Sequence, residues 1–297
     1  MENNSLHIPV LAIATINLLD LSPKDVVVDA TVGDGGHAKQ MLEKISPGGF
    51  LIGIDRDPEA VTVAYENLSL TKSNAKFVII HGSFSDLSNI IETAGYRRVD
   101  GILFDLGLSS RELMPARGFS FLHDAPLDMR FDPTTGPTAA DLVNSYPKDQ
   151  LADVIYEFGE ERASRRIAQA IWDARRKQRI VSTGQLAEIV AQAKGGRRGK
   201  IHPATQTFQA LRIAVNDELA VLAQVLPQAI ELLHPQGRMA VISYHSLEDR
   251  IVKNIFRTAA KDNVVQLITK KPISPDRAEI LGNPRSRSAK LRGIIKN

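Results

Sequence analysis

Four short apolar runs punctuate the first 105 residues, each followed by a stretch of helical character. Val26-Val27-Val28, Phe50 to Ile54, Phe77 to Ile80 and Val99 to Phe104 are continuous rather than alternating, as expected of strands buried on both faces. Between them lie a helical stretch from about Gly36 to Ile45 and another opened by Pro58, a residue tolerated in a helix's first turn. Right-handed crossovers turn this alternation into a doubly wound α/β domain. The pattern then changes: residues 106–138, rich in Gly, Pro, Ser and Arg, read as a long functional loop. Residues 148–194 read as helices, with Ile167, Ile171 and Ala174 at helical spacing and Ser182-Thr183 placed to cap a helix through Lys194. Gly195 to Lys200 breaks this run, and one long helical pattern follows from Ala204 to about Leu226. A strand returns at Met239 to Ser243, with weaker candidates at Val264 to Thr269 and Leu291 to Ile295. The expected organisation is a sheet domain made of residues 1–137 and 213–297, with a helical domain, 138–212, inserted between the fourth and fifth strands.

At 297 residues, 43% apolar and 24% charged, the chain has the composition of a folded protein rather than a disordered one. It has no cysteine, which excludes disulfides, thiolate metal sites and cysteine nucleophiles. The histidines are scattered and suggest no metal cluster, so no metal is expected. No apolar stretch is long enough for a membrane span, and Leu11 to Leu19 lacks the basic start of a secretory signal; the expected location is the cytoplasm. The net charge is +3, but residues 160–200 carry +7 and residues 270–297 carry +6, leaving −10 on the rest. Two basic regions on an acidic body point to a polyanionic partner.

The first apolar run leads into Val28-Asp29-Ala30-Thr31-Val32-Gly33-Asp34-Gly35-Gly36-His37-Ala38. Gly33, Gly35 and Ala38 fit the dinucleotide-binding fingerprint, and Asp55, twenty residues beyond Gly35, is placed to accept from ribose hydroxyls. The fingerprint alone does not separate NAD from S-adenosylmethionine (SAM). Asp29 favours SAM, because a carboxylate beside the loop repels a pyrophosphate and attracts an ammonium or sulfonium. Backbone N–H groups of Gly35, Gly36 and His37 suit a carboxylate at a helix N-terminus. Phe84 is placed to pack against adenine or to join the core. Asp86 is placed to bind the adenine amine or to cap a helix.

Several strings resemble one family: D-A-T-V-G-D-G-G-H (Asp29 to His37), D-L-G-L-S-S (Asp105 to Ser110), R-G-F-S-F (Arg117 to Phe121), P-L-D-M-R (Pro126 to Arg130), H-P-A-T-Q-T-F-Q-A-L-R (His202 to Arg212), S-Y-H-S-L-E-D-R (Ser243 to Arg250) and N-P-R-S-R (Asn283 to Arg287). In order, and from His7 to Arg292, they are similar to the bacterial small-subunit ribosomal RNA (cytosine-N4) methyltransferases, the RsmH/MraW family. The resemblance implies a seven-stranded, Rossmann-like class I SAM-dependent methyltransferase fold. It implies methylation of the exocyclic amine of one 16S cytidine at the decoding centre, on an assembled or nearly assembled small subunit. It also implies cofactor contacts at Gly35, Gly36, His37, Asp55, Phe84, Asp105 and Glu112. The last departs from the family, which has proline and glutamine where this chain has Arg111 and Glu112. An ionised glutamate accepts hydrogen bonds but cannot donate them.

A cytosine amine is a weak nucleophile, so its transfer chemistry needs alignment with the methyl group and an acceptor for the developing charge and proton. Asp105, at the end of the fourth run, is a catalytic candidate placed to bind SAM, the amine or both, and His245 is a second candidate, as a polar contact or proton acceptor; which group takes the proton stays open. The base must leave its stack to be reached, and Phe119 and Tyr244 are candidate stacking surfaces. Arg165, Arg166, Arg175, Arg176, Arg197, Arg198 and Lys200 in the inserted domain, with Arg285, Arg287 and Arg292 near the end, are candidate phosphate contacts. A non-catalytic rRNA-binding assembly factor and an NAD-dependent oxidoreductase remain as alternatives, and a homodimer stays open. Neutralising Arg197, Arg198 and Lys200 together is expected to weaken RNA binding and flatten its salt dependence without changing SAM affinity; a salt titration of binding checks this.

Overall fold

The computed structural model describes residues 9–109, 112, 114–196 and 202–297. The chain divides into two compact units, one running to Gly107 and resuming at Leu219, the other Leu108–Glu218. The first holds a seven-stranded sheet of β1 (Val26–Asp29), β2 (Phe50–Asp55), β3 (Lys76–His81), β4 (Val99–Asp105), β5 (Leu233–Ser243), β6 (Val265–Leu267) and β7 (Lys290–Lys296). Their order is β3-β2-β1-β4-β5-β7-β6. Neighbours from β3 to β5 are parallel, and β7 runs antiparallel to both β5 and β6. The doubly wound fold expected from the apolar runs is therefore present.

Continuous apolar strands are needed because both faces are covered. Val28, Ile102, Phe104, Met239 and Val241 point into one core with side chains of α4 (Leu87–Thr93), α10 (Glu218–Leu232) and α11 (Ser246–Lys261). Their alternates Val27, Leu103, Ala240 and Ile242 point into the other, against α1 (Ala12–Leu19), α2 (Gly36–Lys44) and α3 (Pro58–Ser69). Pro58 opens α3 as expected, and the Asp57 side chain caps it by accepting from the Glu59 N–H. The chain winds outward in both directions from the β1–β4 pair, which leaves a crevice beyond the carboxyl ends of those strands.

The second unit contains α5 (Ala139–Ser145), α6 (Lys148–Gly159), α7 (Ser164–Arg175), α8 (Thr183–Ala193) and α9 (Thr205–Asn216). Ser182 caps α8 through the Gln185 N–H, as its position predicts. The unit begins at Leu108 rather than at the expected residue 138 because the intervening loop is part of its core. Phe119, Leu127 and Met129 are buried there with Leu151, Ile167 and Phe208. The single long helix expected after Ala204 is two, α9 and α10, separated by Asp217 at φ 52°. Asn216 fixes that break: its Nδ2 donates to Met129 O at 2.7 Å and its Oδ1 accepts from Phe131 N–H at 2.8 Å.

Gly118, in the R-G-F-S-F string, sits at φ 75°, and a Cβ there would lie 2.4 Å from Pro126 O and 2.7 Å from Asp128 N. Backbone atoms cannot step aside as a flexible side chain can. Gly118→Ala is expected to cost about 2–4 kcal/mol, combining left-handed strain with overpacking. Gly136 has φ 77° but open space around it, so Gly136→Ala should cost only the strain, about 1–2 kcal/mol. Parallel thermal unfolding of the two variants checks the difference.

Candidate active site

Parallel register carries three carboxylates to the same sheet edge: Asp29 ends β1, Asp55 ends β2 and Asp105 ends β4. Between the first two lies the glycine loop, with Gly33 at φ 52° and Gly35 at φ 88°, conformations in which a side chain is strained. No side chain caps the N-terminus of α2, which follows directly. Asp55 holds the loop in place, its two oxygens accepting from the N–H groups of Gly33 and Asp57 at 2.9 Å each. The Arg56 backbone also bonds to this carboxylate, whose roughly four lone-pair sites still leave room for a hydroxyl donor. Burial lifts the Asp55 pKa to about 6 against these amides.

Asp29 is fully enclosed. Its Oδ1 accepts a 3.3 Å bond from Thr31 N–H, while Oδ2 has no hydrogen-bond partner among the described residues. Burial lifts its pKa to about 7 against the pull of His37, and Asp105 and Asp55 add to the rise. His37, in the first turn of α2, is also buried, and among the described residues neither ring nitrogen has a partner at good hydrogen-bond geometry. Its Nε2 stands 3.5 Å from Asp105 Oδ2. Burial opposes the imidazolium, but Asp105 and Asp29 outweigh it and hold the His37 pKa above its ordinary value.

Asp105 is gripped from several sides. Its N–H donates to Thr31 Oγ1 at 2.7 Å, and its Oδ1 accepts from the Tyr244 hydroxyl at 2.8 Å. Burial first, and then Asp105, push the Tyr244 pKa well above the ordinary phenol value, so this hydroxyl stays a donor at neutral pH. The Tyr244 ring lies over Gly107, where a Cβ would come within 2.7 Å of it. Lone buried acceptors, an open helix N-terminus and a carboxylate with one oxygen tied suit a small cationic ligand that also carries a carboxylate and hydroxyls.

A family match spans almost the whole chain: residues 4–297 fit the MraW methylases. This chain belongs to the MraW methylase family. A ribosomal RNA small subunit methyltransferase H from Persephonella marina is 48% identical over 288 residues, covering 96% of this chain and 97% of that one. A namesake from Thermomicrobium roseum is 46% identical over 307 residues, covering 97% and 93%. An rRNA methylase structure from Streptococcus thermophilus shares 11% identity at a TM-score of 0.45, covering 98% and 99%, and adds nothing to the assignment.

In this MraW methylase the structure gathers Asp29, Gly33, Gly35, Gly36, His37, Asp55 and Asp105 at one edge, with half-buried Phe84 in the turn after β3. Phe84 meets Phe104 edge-on at 5.6 Å. Glu112 lies in the helical unit, where its Oε2 accepts from Ser109 N–H at 2.6 Å. Several expectations need correction. Phe119 is no stacking platform, because it is 8% exposed and already stacked on Phe131 at 5.6 Å. Tyr244 is a half-buried residue whose hydroxyl supports Asp105. His245 is the N-cap of α11: its Nδ1 accepts from Glu248 N–H at 3.4 Å, while its Nε2 is buried 3.1 Å from Glu248 Oε1. The cap uses one ring nitrogen and leaves the other to the site.

Among the phosphate candidates, Arg165, Arg166 and Arg176 are exposed along and just beyond α7, and Arg285 and Arg287 are exposed in the turn Pro284–Ser288. Arg175 is not available in that way: it donates to Val143 O at 2.7 Å and lies over the Trp172 ring at 4.3 Å. Arg292 is buried in β7 and paired with Asp249 at 2.7 Å. Arg197, Arg198 and Lys200 lie outside the described residues. Sequence reading missed Thr31 and Glu248. The second carried a signal, since His245-Ser-Leu-Glu248 has capping-box spacing.

Asp29 makes a signed pH prediction. Its folded pKa of about 7 exceeds its ordinary 3.8, so the fold binds the extra proton between those values. Stability from this group is therefore present below about pH 4 and lost as pH rises through 7. Asp29→Asn should raise the ligand-free melting temperature at pH 8, by an effect on the order of a few kcal/mol, and change it little at pH 4. Thermal unfolding at both pH values checks this.

Proposed function

We propose that this chain is a SAM-dependent methyltransferase of small-subunit ribosomal RNA, acting on the N4 amine of one 16S cytidine at the decoding centre. The carrying observation is the Asp29, His37, Asp105 and Tyr244 cluster at the strand ends of an MraW methylase. SAM, when bound, supplies a methyl group on a cationic sulfur. Asp29 offers that cation an unpaired buried oxygen, and the charge returns to Asp29 a partner for its ionised form. The open N-terminus of α2 suits the carboxylate of the donor. Asp55 retains acceptor capacity for ribose hydroxyls, and Phe84 offers an apolar edge to adenine. The relatives' shared name supports the RNA substrate, and an assembled or nearly assembled subunit is its expected form.

The reaction asks one more thing of the protein. An amine that took up that methyl group would carry one proton too many, and a group of the protein must accept it. Asp105 is the acceptor in this reading. Its Oδ1 is tied to the Tyr244 hydroxyl, which leaves Oδ2, facing His37, as the oxygen that takes the proton. Tyr244 fixes the rotation of the carboxylate, and His37 holds it by charge. Arg165, Arg166, Arg176, Arg285 and Arg287 serve as phosphate contacts.

Incubation of purified small subunits with isotopically labelled SAM, followed by mass spectrometry of the RNA, tests the reading. Wild type should label one cytidine at N4. Asp105→Asn should lower kcat by about 10²-fold or more while leaving RNA bound. Tyr244→Phe should lower kcat more than it changes KM. Unlabelled RNA with wild type, or full labelling with Asp105→Asn, overturns the proposal.

A further inference from the structure

The exposed face of α11 carries charge of one sign only. Arg250, Lys253, Arg257 and Lys261 follow one another at steps of three, four and four residues. At 3.6 residues per turn they fall within an arc of about 80° and run about 17 Å along the helix. The opposite face is apolar, with Val252 and Phe256 buried in the sheet core. Arg250, Arg257 and Lys261 are exposed, and Lys253 is half-buried.

The acids of α11 do not balance its Lys253, Arg257 and Lys261. Glu248 is buried at the helix start, accepting from Tyr244 N–H at 2.8 Å. Asp249 is engaged by Arg292 at 2.7 Å and Lys290 at 3.3 Å. Lys253 with Arg257, and Arg257 with Lys261, are like charges at i,i+4, an arrangement that weakens a helix. Other helices of the same unit differ: α2 mixes Lys39 and Lys44 with Glu43, and α3 carries Glu59 and Glu66. A self-repelling stripe is favourable once an extended anion lies along it.

Its position gives the stripe a direction. The helix starts three residues after Ser243, the last residue of β5, and β5 pairs with β4 through Asp105↔Ile242. Arg250 therefore lies one turn from the edge that holds Asp105, and Lys261 lies at the far end. Arg285 and Arg287 join the same edge, because the turn containing them precedes Lys290, which pairs with Ser243.

We propose that the Arg250–Lys253–Arg257–Lys261 face of α11 is a track for the sugar–phosphate backbone of single-stranded RNA, leading to the strand-end edge occupied by Asp105. The proposal rests on the RNA-methyltransferase reading and adds a binding surface to it. Contacts to phosphate fix the path of the strand without reading its sequence, and each contact to a single strand contributes about 0.7 to the slope of log affinity against log salt.

The test compares wild type, Arg257→Gln, the triple variant Lys253→Gln/Arg257→Gln/Lys261→Gln, and a control triple variant Lys39→Gln/Lys44→Gln/Lys76→Gln. Binding to purified small-subunit ribosomal RNA is titrated with salt, and SAM affinity and melting temperature are measured in parallel. The single variant should reduce the salt slope by about 0.7 and the triple by about 2. SAM affinity should hold, and the melting temperature should not fall, since the substitutions relieve repulsion. The control should keep more of the slope than the α11 triple. If wild type binds RNA and the α11 variants keep its slope, or lose no more than the control, the track is wrong and the methyltransferase reading stands. If wild type binds no RNA, both fall.

Discussion

The geometry of the site depends on how one carboxylate at the end of β4 is held. Asp105 is fastened through its N–H to Thr31, through Oδ1 to Tyr244 and through charge to His37. Those partners belong to the loop after β1, the end of β5 and the start of α2. One side chain therefore ties together the segments that strand pairing places side by side. The register Asp29↔Leu103 and Asp105↔Ile242 sets the distances, and the hydrogen bonds hold a rotamer that register alone would leave loose. Gly107 completes the arrangement by letting the Tyr244 ring close over the backbone. The glycine in the D-L-G-L-S-S string is thus required by a neighbouring ring.

Such a cluster is costly before a ligand arrives. Asp29, Asp55 and Asp105 share one edge with the His37 imidazole, and the burial that sharpens the fields there opposes the ionisation of Asp29 and Asp55. The Asp29 oxygen without a partner is the clearest sign, because a buried acceptor is normally satisfied. A scaffold that tolerates this must gain its stability elsewhere. Here the two apolar layers covering the sheet supply it. An unmet buried carboxylate oxygen at the strand ends is what a site for a cation requires.

The sheet was legible because each strand is buried on both faces and announces itself as an unbroken apolar run. The glycine loop was legible because Gly33, Gly35, Ala38 and Asp55 obey a spacing with a physical cause. Other features depend on contacts between residues far apart in sequence. The break after α9 comes from Asn216 bonding to Met129 and Phe131, more than eighty residues earlier, and helical periodicity runs straight through it. The loop from 108 to 137 has the composition of an exposed segment, yet Phe119, Leu127 and Met129 make it core. Tyr244 was recognisable as an aromatic near the site, but its hydroxyl's partner is decided by the pairing of β4 with β5. His245 was legible as a polar residue near the site, and its place as a helix cap follows from the spacing to Glu248.

The same distinction governs the basic residues, whose number alone says little about partners. Arg292, Arg175, Arg117 and Arg130 all contribute to the positive count. Arg292 is paired with Asp249, Arg175 with the Val143 carbonyl and Trp172, Arg117 with the carbonyls of Arg130 and Phe131, and Arg130 with both oxygens of Asp128. Their charge is spent on holding loops and strands, and the guanidinium fork suits that task. The acids they consume are then unavailable to neighbouring cations. Asp249 is the case in point: it is taken up by Arg292 and Lys290 of β7, while Lys253, Arg257 and Lys261 follow one another along the outer face of α11. An internal ion pair can in this way shape an external surface, and a uniform charge count conceals which cations remain for a polyanion.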